Sequence, residues 1–258
     1  MPWRLSCAAA GFETLATLKL TWSTPGGNMR TTASPAGIAM QVAPYRLSGA
    51  VYGTLLNHRT AVESLGDAID KPPYKTAPRA PVLYIKPRNT LAASGDAVLV
   101  PTDADELEAG GCLGVVIGRT ACRLTEANAL DHMAGYLIVN DVSVPHAVYY
   151  RPSIRLKARD GFCPLGAFTV RAKVKDPNAL TIRTYTDGVL VQTAATADLV
   201  RSVERLLADV TEFMTLAPGD VLAMGVAAPA PRVKAGQTVR IEIDGLGTLS
   251  NVFSRTPT

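Results

Sequence analysis

After residue 48 the chain is a string of short apolar runs, each stopped by turn-forming residues, and only one long stretch carries a helical period. Val82 to Ile85 follows a proline-rich loop, Ala97 to Val100 stops at Pro101, and Leu113 to Ile117 is apolar without alternation, as suits a strand buried on both faces. Gly135 to Val139 ends at Asn140-Asp141, Ala167 to Val174 and Thr181 to Tyr185 follow, and Asp187-Gly188 turns the chain into Val189 to Gln192. Val221 to Met224 and Val239 to Ile243 complete the set, with a turn at 244–247. Asp103 to Ala109 reads as an acidic loop. The long helix is expected over Asp198–Met214, where Leu199, Val200, Val203, Leu206, Leu207, Val210, Phe213 and Met214 form one core-facing stripe. A short helix is expected after Thr125, a good N-cap, running to about Ala134. Strands so rarely separated by helices exclude a doubly wound parallel sheet and give a strand-rich α+β fold.

Composition narrows the function classes. The chain has 258 residues, 47% of them hydrophobic, which is ample for a core without staples. Its apolar runs fall far short of the ~18 residues a membrane helix needs. A net charge of +4 with no dense Lys/Arg cluster argues against a nucleic-acid partner. None of the four cysteines forms a C-x-x-C pair, and reduced thiols point to a cytoplasmic location. Cys163, between turn formers, reads as a buried thiol or as a nucleophile. The three histidines, His58, His132 and His146, share no metal-ligand spacing, and H-E-x-x-H, G-x-S-x-G, Walker A and G-x-G-x-x-G are absent.

The first forty residues differ from the rest. They hold only four charged residues (Arg4, Glu13, Lys19, Arg30) and nine Ser or Thr. A transit peptide, a signal peptide and an upstream extension before Met29 or Met40 all remain open. Residues 1–47 are therefore expected to be a non-catalytic extension, and 48–258 one domain.

From residue 48 on, the ordered segments resemble the fumarylacetoacetate hydrolase superfamily. The resemblance rests on Leu56-Asn57-His58-Arg59, Lys86-Pro87-Arg88-Asn89-Thr90, Leu113 to Gly118, Asn140-Asp141-Val142-Ser143 and Lys157 through Asp160-Gly161-Phe162-Cys163-Pro164-Leu165-Gly166. Leu216 to Asp220 and Glu242 to Gly247 continue it. Tyr74-Lys75 and Tyr150-Arg151-Pro152 add a likeness to the amino-terminal half of the branch that isomerises and decarboxylates oxo-acids in 4-hydroxyphenylacetate catabolism. The resemblance implies a rolled mixed β-sheet fold and small, multiply anionic substrates such as 5-carboxymethyl-2-oxo-hex-3-ene-1,6-dioate and 2-hydroxyhepta-2,4-diene-1,7-dioate. It also implies a homo-oligomer or a pairing with a carboxy-terminal sister subunit.

Decarboxylation or isomerisation beside a carbonyl passes through an enolate, for which a divalent metal is a natural sink. The family implies Mg2+, held by a Glu-x-Glu and by the Asp of the Asn-Asp-Val-Ser turn. Asp141 is that Asp, but the Glu-x-Glu positions fall on Gly110 and Cys112, with Glu108 two residues upstream. The family's His and Glu dyad falls on Ala61 and Ser64, and its late Gly-Thr-Pro on Gly225-Val226-Ala227. Metal binding in the usual manner is therefore in doubt.

Lys86 and Lys157 are candidates to face an enolate oxygen, or else are structural ion pairs. His58 is a candidate general base, or a packed side chain. Arg88, Arg151 and Arg155 are candidates to grip substrate carboxylates. Asp141 is a metal ligand or a turn former. Three functions compete: an isomerase/decarboxylase, a non-catalytic half that stabilises a metal-binding sister, and a C–C bond hydrolase. The hydrolase suffers most from the missing dyad.

Overall fold

The computed structural model describes residues 50–255, apart from 148 and 150–152, together with the backbone of 41–42 and 45–46. Apart from an antiparallel pairing of Gln41–Val42 with Tyr45–Arg46, the expectation for residues 1–47 lies outside the described residues.

Two mixed sheets enclose the main core. The larger runs Val82–Lys86, Val51–Leu55, Val221–Ala223, Gly111–Ile117, Met133–Asn140, Cys163–Leu165, Leu91–Ala93, with Thr169–Val170 also paired to Met133–Asn140. The second runs Val189–Ala195, Thr181–Thr186, Thr238–Ile243, Gly247–Arg255, Ala97–Val100. Two pairings in the larger sheet are parallel, Val51–Leu55 with Val221–Ala223 and Cys163–Leu165 with Leu91–Ala93.

The central strands explain their own sequences. Every residue of Gly111–Ile117 and of Met133–Asn140 is buried. Side chains alternate across a strand, so the two faces feed different cores. Leu113, Val115, Ile117, Tyr136 and Ile138 enter the main core, shared with Ile182, Ile241 and Phe253 of the second sheet. Cys112, Val116, Leu137 and Val139 enter a smaller one with Leu91, Leu165 and Val221. A strand sandwiched in this way has no polar face to alternate with.

The long helix is shorter than its periodicity predicts, spanning Val203–Phe213. Ser202 is its N-cap and accepts from the Arg205 amide at 3.2 Å. Asp198 belongs instead to a preceding 3-10 turn, Thr196–Asp198. Val203, Leu206, Leu207 and Val210 are buried as expected, whereas Val200 and Phe213 are exposed. Removing the cap by Ser202→Ala is expected to cost about 1 kcal/mol, visible as a lowered urea midpoint.

Thr125 caps Glu126–Ala129 through a capping box with Asn128, but the helix gives way to a 3-10 turn at Leu130–His132. The expected strand over Ala167–Val174 shrinks to Thr169–Val170, because a 3-10 turn takes Arg171–Lys173. Within the expected acidic loop, Leu107–Glu108 pairs with Arg232–Val233. That short pairing carries Glu108 and Arg232 to the same place.

Candidate functional site

Asp141 follows the buried Met133–Asn140 strand, and its amide donates to the Gly110 carbonyl at 2.8 Å. Tyr84 and Lys86 lie two apart on Val82–Lys86 and therefore share a face, and both reach Asp141. Tyr84 can lie flat there because its cross-strand partner is Gly53, where a Cβ would sit 2.0 Å from the ring. Lys157 ends the short helix Ile154–Lys157.

These groups form a buried cluster of two cations around one anion. Lys157 Nζ donates to Asp141 Oδ2 at 2.7 Å and sits 4.6 Å from the centre of the Tyr84 ring. The Tyr84 hydroxyl donates to the same oxygen. Lys86 Nζ donates to the carbonyls of Val142, Lys157 and Phe162 at 2.5, 2.8 and 2.8 Å. With its three hydrogens so used, it meets Asp141 Oδ1 at 2.9 Å as a charge contact. Burial alone would raise the Asp141 pKa. The charges of Lys157 and Lys86, with hydrogen bonds from Lys157 and Tyr84, outweigh it and hold the carboxyl well below the usual range. Burial lowers the Lys86 pKa, with Asp141 opposing.

Asp141 and Lys157 line a cavity of about 300 Å³, at the lower end of ligand-site volumes. Glu108, Ser143, His146 and Arg232 line it too. Glu108 receives the Ser143 hydroxyl at 3.1 Å and pairs with Arg232 at 3.2 Å. A larger cavity of about 530 Å³, beside the Val82–Lys86 edge, is apolar and carries no carboxylate or cation.

Four of the positions where the sequence departs from the family pattern lie at the smaller cavity. Ala61, Ser64, Val226 and Ala227 line it. Gly110 borders it from behind, since a Cβ there would meet the Val226 methyls at 2.8 and 2.9 Å and the Asp141 carbonyl at 2.9 Å. Cys112 is buried, and burial first, then the Asp141 charge, pushes its thiol pKa far up, so it stays neutral. Among the described residues no group of three or more His, Cys, Asp or Glu side chains comes together as metal ligands.

Several candidate residues stand elsewhere. His58 caps the Arg59–Glu63 helix, where its Nδ1 accepts from the Thr60 amide at 3.3 Å. It is buried outside the cavity lining, and its pKa is lowered, by burial first. Lys86, 1% exposed, sits against Asp141 and does not line the cavity. Arg155, its side chain 84% exposed, pairs with Asp103 at 3.5 Å. Arg88 is exposed on the turn after Lys86 and is not part of the cavity wall. Arg151 lies outside the described residues. Cys163 is buried in a strand with its pKa raised by burial to about 12, which fits the inert thiol and not the nucleophile.

Sequence reasoning noted Glu108 only as the carboxylate upstream of the Glu-x-Glu positions, and missed Tyr84, His146 and Arg232 as residues of the site. Only Tyr84 left a signal, its two-residue spacing from Lys86 on a strand.

Comparison with known proteins agrees with this architecture. The family profile described as fumarylacetoacetate (FAA) hydrolase, C-terminal, matches residues 50–254. The 4-hydroxyphenylacetate degradation bifunctional isomerase/decarboxylase of Salmonella dublin is 38% identical over 205 residues, which are 80% of this chain and 47% of that protein. The chain thus spans about half the length of the curated relatives it first matches. The crystal structure of 5-carboxymethyl-2-hydroxymuconate delta-isomerase from Mycobacterium smegmatis superimposes with a TM-score of 0.69 at 30% identity, covering 82% of this chain and 81% of that one. Maleylpyruvate hydrolase from Sphingobium sp. SYK-6, solved with manganese(II) and pyruvate, superimposes with a TM-score of 0.67 at 25% identity, covering 81% and 71%. With a profile match across the whole described domain and the same strand-rich mixed-sheet fold in its solved relatives, the chain belongs to the fumarylacetoacetate hydrolase family.

Proposed function

We propose that this domain isomerises or decarboxylates small, conjugated, anionic oxo-acids in the cavity beside Asp141, with the Lys157 ammonium facing the enolate. The observation that carries the reading is the charge surplus at the cavity floor, where two ammonium groups share one carboxylate. Lys157 has one hydrogen directed to Asp141, which leaves others for an oxygen that gains charge in the reaction. Arg232 on the cavity wall suits a distal substrate carboxylate. The names of the relatives support this class of chemistry.

The family's divalent cation does not fit this donor set. Its three positions present one carboxylate held by two lysines, a glycine and a neutral thiol. A hard cation wants several oxygen ligands and would sit against two ammonium charges.

A second reading is favoured by Ala61 and Ser64, which put no acid or base where the resemblance expects a His and a Glu. On that reading the domain supports an active sister half of similar length. The same two residues leave the C–C hydrolase without its expected water-activating base.

The chain purified alone, after chelation, is expected to consume 5-carboxymethyl-2-oxo-hex-3-ene-1,6-dioate or 2-hydroxyhepta-2,4-diene-1,7-dioate, followed as loss of ultraviolet absorbance. Turnover seen only when a sister subunit is added, and unchanged by Lys157→Met, favours the supporting role instead.

A further inference from the structure

We propose that His146 is the base of this cavity and, through its Nε2, moves the proton that separates the oxo and 2-hydroxydiene forms of a conjugated oxo-acid. The proposal rests on the reading that oxo-acids bind beside Asp141 and Lys157.

The tautomer follows from one contact. His146 Nδ1 lies 3.0 Å from the Val144 carbonyl oxygen. A carbonyl only accepts, so Nδ1 carries the hydrogen and neutral His146 presents its lone pair at Nε2. That nitrogen is buried and has no hydrogen-bond partner among the described residues. A buried acceptor left without a donor is costly, and such groups gather where a ligand completes them.

The ring is also held in place. It packs against the Tyr149 ring at 5.5 Å between centroids, tilted by 54°. The Tyr149 amide in turn donates to the Tyr74 hydroxyl at 2.9 Å. Pro145 restricts the backbone immediately before His146. A positioned base needs this kind of support, because proton transfer works over hydrogen-bond distances.

Elimination points the same way. The other basic groups on the cavity wall are Asp141 and Glu108. Asp141 faces Lys86, Lys157 and Tyr84. Glu108 is paired with Arg232 and receives Ser143. Among the described wall residues, His146 is the base that no cation already neutralises.

The step balances without oxidant or reductant. Nε2 takes the proton as the C–H bond at the saturated carbon beside the enone breaks (beside the ketone itself in 2-oxoglutarate). That electron pair becomes a new C=C bond, an existing C=C bond shifts toward the ketone, and the carbonyl π pair moves onto oxygen, opposite Lys157. Return of the proton to that oxygen gives the 2-hydroxydiene, and the reverse steps give the oxo form.

The test is hydrogen–deuterium exchange at C3 of 2-oxoglutarate, a simple oxo-diacid, in heavy water by proton NMR. Wild-type protein is expected to speed exchange. His146→Gln should lower the rate by about 10²-fold or more, with the affinity for 2-oxoglutarate, read by calorimetry, changing less than about threefold. Added imidazole should restore exchange to His146→Ala. Wild-type binding and exchange that persist at full rate in His146→Gln overturn the assignment of His146 alone. A wild-type protein that neither binds 2-oxoglutarate nor turns over the conjugated acids overturns the cavity reading, and the proposal with it.

Discussion

Asp141→Asn is expected to destabilise the fold by about 3–5 kcal/mol, because it leaves two buried ammonium groups without their anion. In a domain of this size that corresponds to roughly 6–20 °C in Tm. A deletion of catalytic chemistry alone would leave Tm unchanged. The pH dependence supplies a second check. The folded carboxyl is held below its unfolded value of about 3.9, so its contribution is complete above that pH and is lost as pH falls through the folded pKa. The stability gap between wild type and Asp141→Asn should therefore narrow as pH drops below about 4. A gap that stays constant from neutrality to strong acid would refute this account.

Lys157→Met is expected to behave in the opposite way, lowering kcat/KM by about 10²–10³-fold with a much smaller loss of stability than Asp141→Asn. Asp141 would keep Lys86 and Tyr84, so no charge is stranded. The Lys157 main-chain carbonyl, which accepts from Lys86, is also untouched. Methionine fills similar volume against the Tyr84 ring. Absorbance assays and urea melts on the same preparations separate the two effects. Equal activity in wild type and Lys157→Met would remove Lys157 from the chemistry.

The sequence was most readable where one physical demand dominated. Leu113 to Ile117 was plain because both faces of that strand are buried. Val51–Leu55 and Gly247–Arg255 were missed, since the first is interrupted by Gly53 and the second mixes Ser, Asn and Thr into an alternation with exposed positions. The apolar stripe predicts a helix start five residues before the observed one because Leu199 continues it, while the signal that counts is the Ser202 cap. At the site, Asp141, Lys86 and Lys157 were legible through motif order, and the structure brings all three together. Their division of labour was not legible, because it depends on which lysine has its hydrogens used by carbonyls. Glu108 and Arg232 meet only through a two-residue strand pairing, which local pattern does not reveal.

Gly110 is kept a glycine by two neighbours of different kinds. The first carbon of any side chain there would meet the Val226 methyls at 2.8 and 2.9 Å and the Asp141 carbonyl at 2.9 Å. Trimming Val226 relieves only the first of these and widens the cavity it lines. The second belongs to the main chain, so an engineer placing a carboxylate at position 110 must also shift the backbone that carries Asp141.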